Sequence, residues 1–101
     1  MSQWYLYIIR TRNGHLYTGI TTDIKRRFAE HNNGGARAAK SLRGRGPLTL
    51  VFSQEIGSRS AASKSEWAVK QLPKEDKEAL VAGRLSLETL LATVYGPSAR
   101  M

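Results

Sequence analysis

Aromatic and β-branched residues dominate two short runs near the N-terminus, Tyr5-Leu6-Tyr7-Ile8-Ile9 and Leu16-Tyr17-Thr18-Gly19-Ile20, separated by Thr11-Arg12-Asn13-Gly14-His15. Such runs flanking an Asn-Gly step predict a β-hairpin. The loop length decides which side chains meet. A two-residue Asn13-Gly14 loop puts Tyr7 and Tyr17 on opposite faces, whereas a three-residue Arg12-Asn13-Gly14 loop with Gly14 left-handed pairs Tyr7 with Gly19 and Ile9 with Tyr17. The second register is preferred, because it gathers Leu6, Ile8, Leu16 and Ile20 on one face for a core. It leaves both tyrosines on the other, with open space expected over Gly19.

The pattern then changes period. Ile24, Arg27, Phe28 and His31 recur at helical spacing after a cap at Thr22 or Asp23, so a helix turns these four inward, and Asn32-Asn33-Gly34-Gly35 ends it. Leu48-Thr49-Leu50-Val51-Phe52-Ser53 predicts a third strand. A second helix is expected from Ser58 or Arg59 to Leu72, its inward stripe being Ala62, Ser65, Val69 and Leu72. Glu66 lies on or beside that stripe, and Trp67 points away from it, to pack under the C-terminal segment. Pro73 suits the first turn of a third helix whose Glu75, Asp76 and Glu78 sit early and which Gly83 ends. Ser86 caps a last helix with Leu87, Leu90, Leu91 and Val94 on one face. Three strands and several helices give an α+β fold, a three-stranded antiparallel sheet with flanking helices. Residues 1–95 are expected to form one domain and 96–101 a frayed tail.

Composition narrows the function. The 101 residues contain no cysteine, which removes disulfides and thiolate metal sites and fits a reducing cytoplasm. No apolar run reaches membrane-spanning length, and Met1-Ser2-Gln3-Trp4 leads so soon into a strand that no signal peptide is expected. Sixteen Lys and Arg face eight Asp and Glu, a net charge of +8. Residues 1–46 hold nine basic and two acidic groups, while 47–101 hold seven and six, so the positive field belongs to the N-terminal half. That asymmetry points to a polyanion, nucleic acid first, since no basic helix has the apolar face needed to lie on a membrane. The segment ARAAKSLRGRGP carries Arg37, Lys40, Arg43 and Arg45 among small residues. It reads either as a loop, with one helical turn at most, that tracks phosphates, or as a solvated loop.

Three inward or near-inward positions are polar. An inward Arg27 must meet a carboxylate or face a cleft where an anion binds; the plain alternatives are that Arg27 snorkels along an edge and that His31 sits on the surface near the helix end. Glu66 wants a partner too, either a basic residue such as Arg27 or a divalent metal.

Tyr5-Leu6-Tyr7 and Tyr17-Thr18-Gly19, ten residues apart from Tyr7 to Tyr17, followed by Arg27 and then by Glu66 on a helix, resemble the GIY-YIG nuclease domain. The order TGIT, RR (Arg26, Arg27) and His31, with a basic loop next, is similar to the small stand-alone YhbQ-like bacterial branch. The resemblance covers about residues 4 to 81. It implies a metal-dependent endonuclease that hydrolyses phosphodiester bonds of DNA, ahead of RNA, including structured or single-stranded forms. On this resemblance Tyr7 or Tyr17 activates or orients the attacking water, Arg27 holds the phosphate, His31 assists or contacts phosphate, and Glu66 carries one Mg²⁺ or Mn²⁺. Arg26, Arg37, Lys40, Arg43 and Arg45 are the expected nucleic-acid contacts, with room for a protein partner that supplies targeting. Tyr5 stands in place of the first tripeptide's glycine, Thr18 replaces an aliphatic residue, Ile20 stands where some relatives have lysine, and the family's late asparagine has no counterpart. The second reading is therefore a DNA- or RNA-binding module on a nuclease fold with weak or no catalysis.

Overall fold

The structure, a computed structural model, describes residues 3–95, with only the backbone of Tyr95; the expected tail at 96–101 lies outside this range. Strand β1 (Trp4–Arg10) pairs antiparallel with β2 (Leu16–Thr21) on one side and with β3 (Thr49–Gly57) on the other, giving the order β2-β1-β3. The hairpin register is the one a three-residue loop demands, Tyr7 opposite Gly19 and Ile9 opposite Tyr17. Gly14 takes φ 87°, and its N–H donates to the Thr11 carbonyl at 2.9 Å. A side chain at that φ is strained, so glycine suits the turn.

Helix α1 (Ile24–Asn33) starts at Asp23, whose carboxylate accepts from the Arg26 N–H at 3.1 Å, and stops at Gly34, φ 70°. A single 3-10 turn (Lys40–Leu42) interrupts the basic segment, burying Leu42 and, just before it, Ala38. Helix α2 (Arg59–Gln71) is capped by the Ser58 hydroxyl, which accepts from the Ala61 N–H. Pro73 occupies the cap position of α3 (Lys74–Val81), one residue earlier than its expected place inside the first turn. In α4 (Leu87–Tyr95) the Ser86 hydroxyl accepts from the Thr89 N–H.

β3 departs from its sequence reading. It runs to Gly57 rather than Ser53, and Leu48, expected inside the strand, precedes it. Two register shifts against β1 explain the length. Each admits an extra residue, and the adjacent Val51 and Phe52, which strict alternation would put on opposite faces, both reach the apolar cluster along with Ile56. Ser53 and Glu55, opposite Tyr7 and Tyr5, look like a strand end in the sequence but belong to the other face.

The sheet separates two clusters. On one face Leu6 and Ile8 pack with Val69, Leu72, Leu80, Leu87 and Leu90 of α2, α3, α4 and their margins, and Leu16 and Ile20 join them. Tyr7 and Ile9 on the other face meet Leu42, Leu48, Ile24 and Phe28. At the hairpin end Arg10 makes a two-pronged pair with Glu78 (2.7 and 2.8 Å), which holds the Glu78 carboxyl below its usual range, and Lys74 donates to the Gly14 carbonyl at 2.9 Å. These contacts tie α3 to the turn. No helix among the described residues is long and apolar enough to cross a membrane.

Candidate active site

β1 presents Tyr7, β2 presents Tyr17 and Gly19, and α1 crosses the same face bearing Arg27, Glu30 and His31. The Tyr7 ring lies directly on Gly19. A Cβ there would sit 2.6 Å from the ring carbon Cζ, so the expected open space over Gly19 is in fact filled by tyrosine. Only the absence of a side chain lets the ring lie down on β2.

His31 is buried, not at the surface, at 1% exposure. Its ring is 6.0 Å from that of Tyr7 and 5.4 Å, edge-on, from that of Tyr17, and the two tyrosine rings are 6.4 Å apart. Both ring nitrogens are engaged: the Ala39 N–H meets Nδ1 at 3.1 Å, and Nε2 is 2.8 Å from the Tyr7 hydroxyl. A backbone N–H can only donate, so Nδ1 is the acceptor and the neutral ring carries its proton on Nε2. His31 therefore donates to Tyr7. The phenol keeps its own proton and one lone pair for a further partner.

Electrostatics agree with that assignment. Burial, and then the charge of Arg27, lower the His31 pKa, which keeps the imidazole neutral. Burial also pushes the Tyr7 phenol above its ordinary value, with Tyr17 adding to the rise; the Arg27 guanidinium beside it pulls back without winning, and the Glu66 carboxylate raises it further. Tyr7 is thus a phenol at neutral pH. The same set of influences places Arg27 and Glu66 within electrostatic reach of its hydroxyl.

Arg27 meets the carboxylate that an inward guanidinium requires, but the partner is Glu30. Its Nη1 donates to Glu30 at 2.9 Å and to the Arg37 carbonyl at 2.7 Å. Glu30 also faces Arg37 at 3.6 Å and Arg26 at 3.9 Å, and the hydrogen bond from Arg27 chiefly holds its carboxyl below the usual range. Glu30 is absent from the site read in the sequence. The signal was available, because it stands three and four residues after Arg27 and Arg26, the spacing of helical ion pairs.

Glu66, on α2, pairs with Lys70 at 3.1 Å one turn later, not with Arg27. Among the described residues no three His, Cys, Asp or Glu side chains cluster as a metal cage. A lone half-buried carboxylate fits Mg²⁺ or Mn²⁺ only in the way Mg²⁺ usually binds, with one or two carboxylates, several waters and the substrate's phosphate completing the shell. Trp67 is 56% exposed and so is not packed away as its position suggested.

The basic segment reaches the site through Arg37 and the Ala39 N–H, while its other basic side chains bond elsewhere or face solvent. Arg43 donates to the Ala36 carbonyl at 3.1 Å, Arg45 to His15 Nδ1 at 3.4 Å, and Lys40 is exposed at the start of the 3-10 turn. Beside Arg27 opens a cleft of about 540 Å³, walled by Trp4, Thr22, Arg26, Arg27, Glu30 and Arg37 among others.

Comparison with known proteins bears on this arrangement. The family model described as the GIY-YIG catalytic domain matches residues 3–79. A UPF0213 protein of Cronobacter sakazakii is 53% identical over 97 residues, spanning 96% of this chain and 100% of the relative. The UPF0213 protein YhbQ of Escherichia coli is 50% identical over 97 residues, 96% of this chain and 95% of that one. Among solved structures, the solution structure of UPF0213 protein BH0048 from Bacillus halodurans is 41% identical, with a TM-score of 0.51 over 79% of this chain and 83% of that one. That of EF2693 from E. faecalis is 32% identical, with a TM-score of 0.57 over 82% and 86%.

Proposed function

Because the chain belongs to the GIY-YIG catalytic-domain family, a nuclease family, we propose that it is a metal-dependent endonuclease that hydrolyses phosphodiester bonds of DNA. The observation that carries this reading is the convergence of two tyrosines, a neutral histidine and an arginine on one sheet face, within the field of Glu66. Hydrolysis forms a bond from water oxygen to phosphorus and breaks the bond to the 3′ oxygen, which leaves with a proton. The products are a 5′-phosphate and a 3′-hydroxyl.

Each residue has a task set by its environment. Arg27 binds the non-bridging oxygens, using the guanidinium nitrogens not spent on Glu30 and the Arg37 carbonyl. Tyr7, kept protonated by burial, orients the attacking water through its remaining lone pair and proton rather than acting as a base ionised in advance. His31 fixes the phenol from behind, and Tyr17 packs against both rings. Glu66 would hold one Mg²⁺ or Mn²⁺, whose charge would offset that developing on the leaving oxygen. Arg26, Arg37, Lys40, Arg43 and Arg45 contact neighbouring phosphates and bring salt sensitivity rather than sequence choice.

The opposite charges of Arg27 and Glu66 provide the test. Arg27→Ala weakens both nucleic-acid binding and cleavage, whereas Glu66→Gln abolishes cleavage in Mg²⁺ or Mn²⁺ while binding holds or tightens. Purified wild type and both variants are incubated with plasmid, single-stranded DNA and structured RNA, with metal or chelator. Nicking that persists undiminished in the Gln variant overturns the assignment. A second reading, a nucleic-acid-binding module on this fold, is favoured by the raised phenol of Tyr7, and it predicts the binding changes with no metal-dependent cleavage to lose.

A further inference from the structure

The cleft beside Arg27 contains more than phosphate hydrolysis needs. It is an open groove of about 540 Å³, which leaves room for a planar ring beside the phosphate that Arg27 would hold. One wall is Trp4, at the start of β1, and the Arg59 guanidinium of α2 lies over the indole, 5.4 Å from the ring centroid. Arg26, Arg27 and Glu30 of α1 also line it, together with Arg37 from the following loop. Arg27 joins the two sites, since it lines this cleft and, in the nuclease reading, holds the scissile phosphate. Whatever fills the cleft is therefore next to the bond being cut.

Indole beside several guanidinium groups is the chemistry that holds single-stranded nucleic acid: a base stacks on the ring while the backbone on either side meets cations. The interior of a duplex cannot use it, because there each paired base already has both its faces stacked on neighbours. We propose that this cleft seats an unpaired nucleobase, with Trp4 as its stacking platform and Arg26 and Arg37 as contacts to the adjacent phosphates. The inference rests on the nuclease reading and narrows its substrate to strands that are single or splayed open beside the scissile phosphate. The Arg59 guanidinium lies 5.4 Å from the indole centroid, and Glu30 bridges Arg27 and Arg37 at 2.9 and 3.6 Å.

The sequence contains two tryptophans, so Trp67→Phe leaves Trp4 as the sole indole reporter. That protein is titrated at low salt, with chelator so that nothing is cut, using an oligothymidylate and a blunt duplex of equal length. Stacking quenches Trp4 emission with the oligothymidylate and leaves it unchanged with the duplex. In the natural background Trp4→Ala weakens oligothymidylate binding by roughly 5- to 150-fold, the effect of one lost base–aromatic stack, and shifts duplex binding by less than about twofold. Trp4→Phe restores most of the loss. Oligothymidylate that binds without changing Trp4 emission overturns the platform while leaving the nuclease reading intact, and so does an equal loss for single strand and duplex in Trp4→Ala. If neither nucleic acid binds, both readings fall together. Should Trp4→Ala not fold, the emission of the Trp67→Phe protein decides alone.

Discussion

The two faces of one strand are built to opposite rules. Leu6 and Ile8 point from β1 into an apolar cluster packed by residues of α2, α3 and α4. Tyr7, between them in sequence, points the other way and is as deeply buried, yet its hydroxyl, the imidazole of His31 and the Ala39 N–H form a continuous hydrogen-bonded chain. No buried side-chain nitrogen or oxygen among the described residues lacks a partner. The polar face is tolerated because it is fully satisfied, whereas the apolar face carries few buried polar groups, such as Ser65, whose hydroxyl donates to the Ala61 carbonyl of its own helix at 3.0 Å. Stability is expected to reside mainly in the first face, and chemistry in the second.

Truncation on the apolar face tests this division most strongly. Leu6→Ala removes a fully buried side chain and is expected to cost about 2–5 kcal/mol in urea unfolding, while the molecules that remain folded keep their cleavage rate. An equal fall in activity per folded molecule would blur the two faces into one.

On the polar face, Gly19→Ala forces the Tyr7 ring off β2. Overpacking of this kind costs about 1–3 kcal/mol, and the displaced phenol should also lose its bond to His31, so cleavage falls along with stability. A fully active and equally stable Gly19→Ala protein would mean that the ring has room to move.

Tyr7→Phe keeps the ring and removes only the oxygen. The buried His31 Nε2–H then has no acceptor, an expected penalty of about 1–3 kcal/mol by chemical denaturation, and the water-orienting group is gone. A stabilised Phe variant would contradict the donor assignment.

The smallest expected effect is a pH dependence. The His31 pKa is lowered in the folded protein, so below the unfolded value of about 6.5 the unfolded chain binds more protons. Stability should therefore fall as pH drops from about 6.5 toward the lower folded value, and hold above it. Urea midpoints measured across this window should flatten in His31→Gln; a wild-type midpoint that rises on acidification would show a histidine that gains charge on folding.

Much of this was written in local pattern. Alternation in Tyr5–Ile9, the turn chemistry of Asn13-Gly14 and the helical spacing of Ile24, Arg27, Phe28 and His31 determine the hairpin, its register and the face shared by the tyrosines, because side-chain direction follows directly from strand and helix period. Caps at Asp23, Ser58 and Ser86 are equally local, each being a hydroxyl or carboxylate within three residues of the N–H it accepts from. Partner choice was not local. That Arg27 meets Glu30, that Glu66 meets Lys70, that Ala39 fixes the tautomer of His31 and that Tyr7 covers Gly19 depend on where the chain brings competing groups, and several partners satisfied the same spacing. The added length of β3 also needed the tertiary structure, since bulges break the alternation by which a strand is recognised. So did the cleft by Trp4, whose walls come from the start of β1, the end of β2, helix α1 and the loop that follows it, segments that meet only once the sheet has formed.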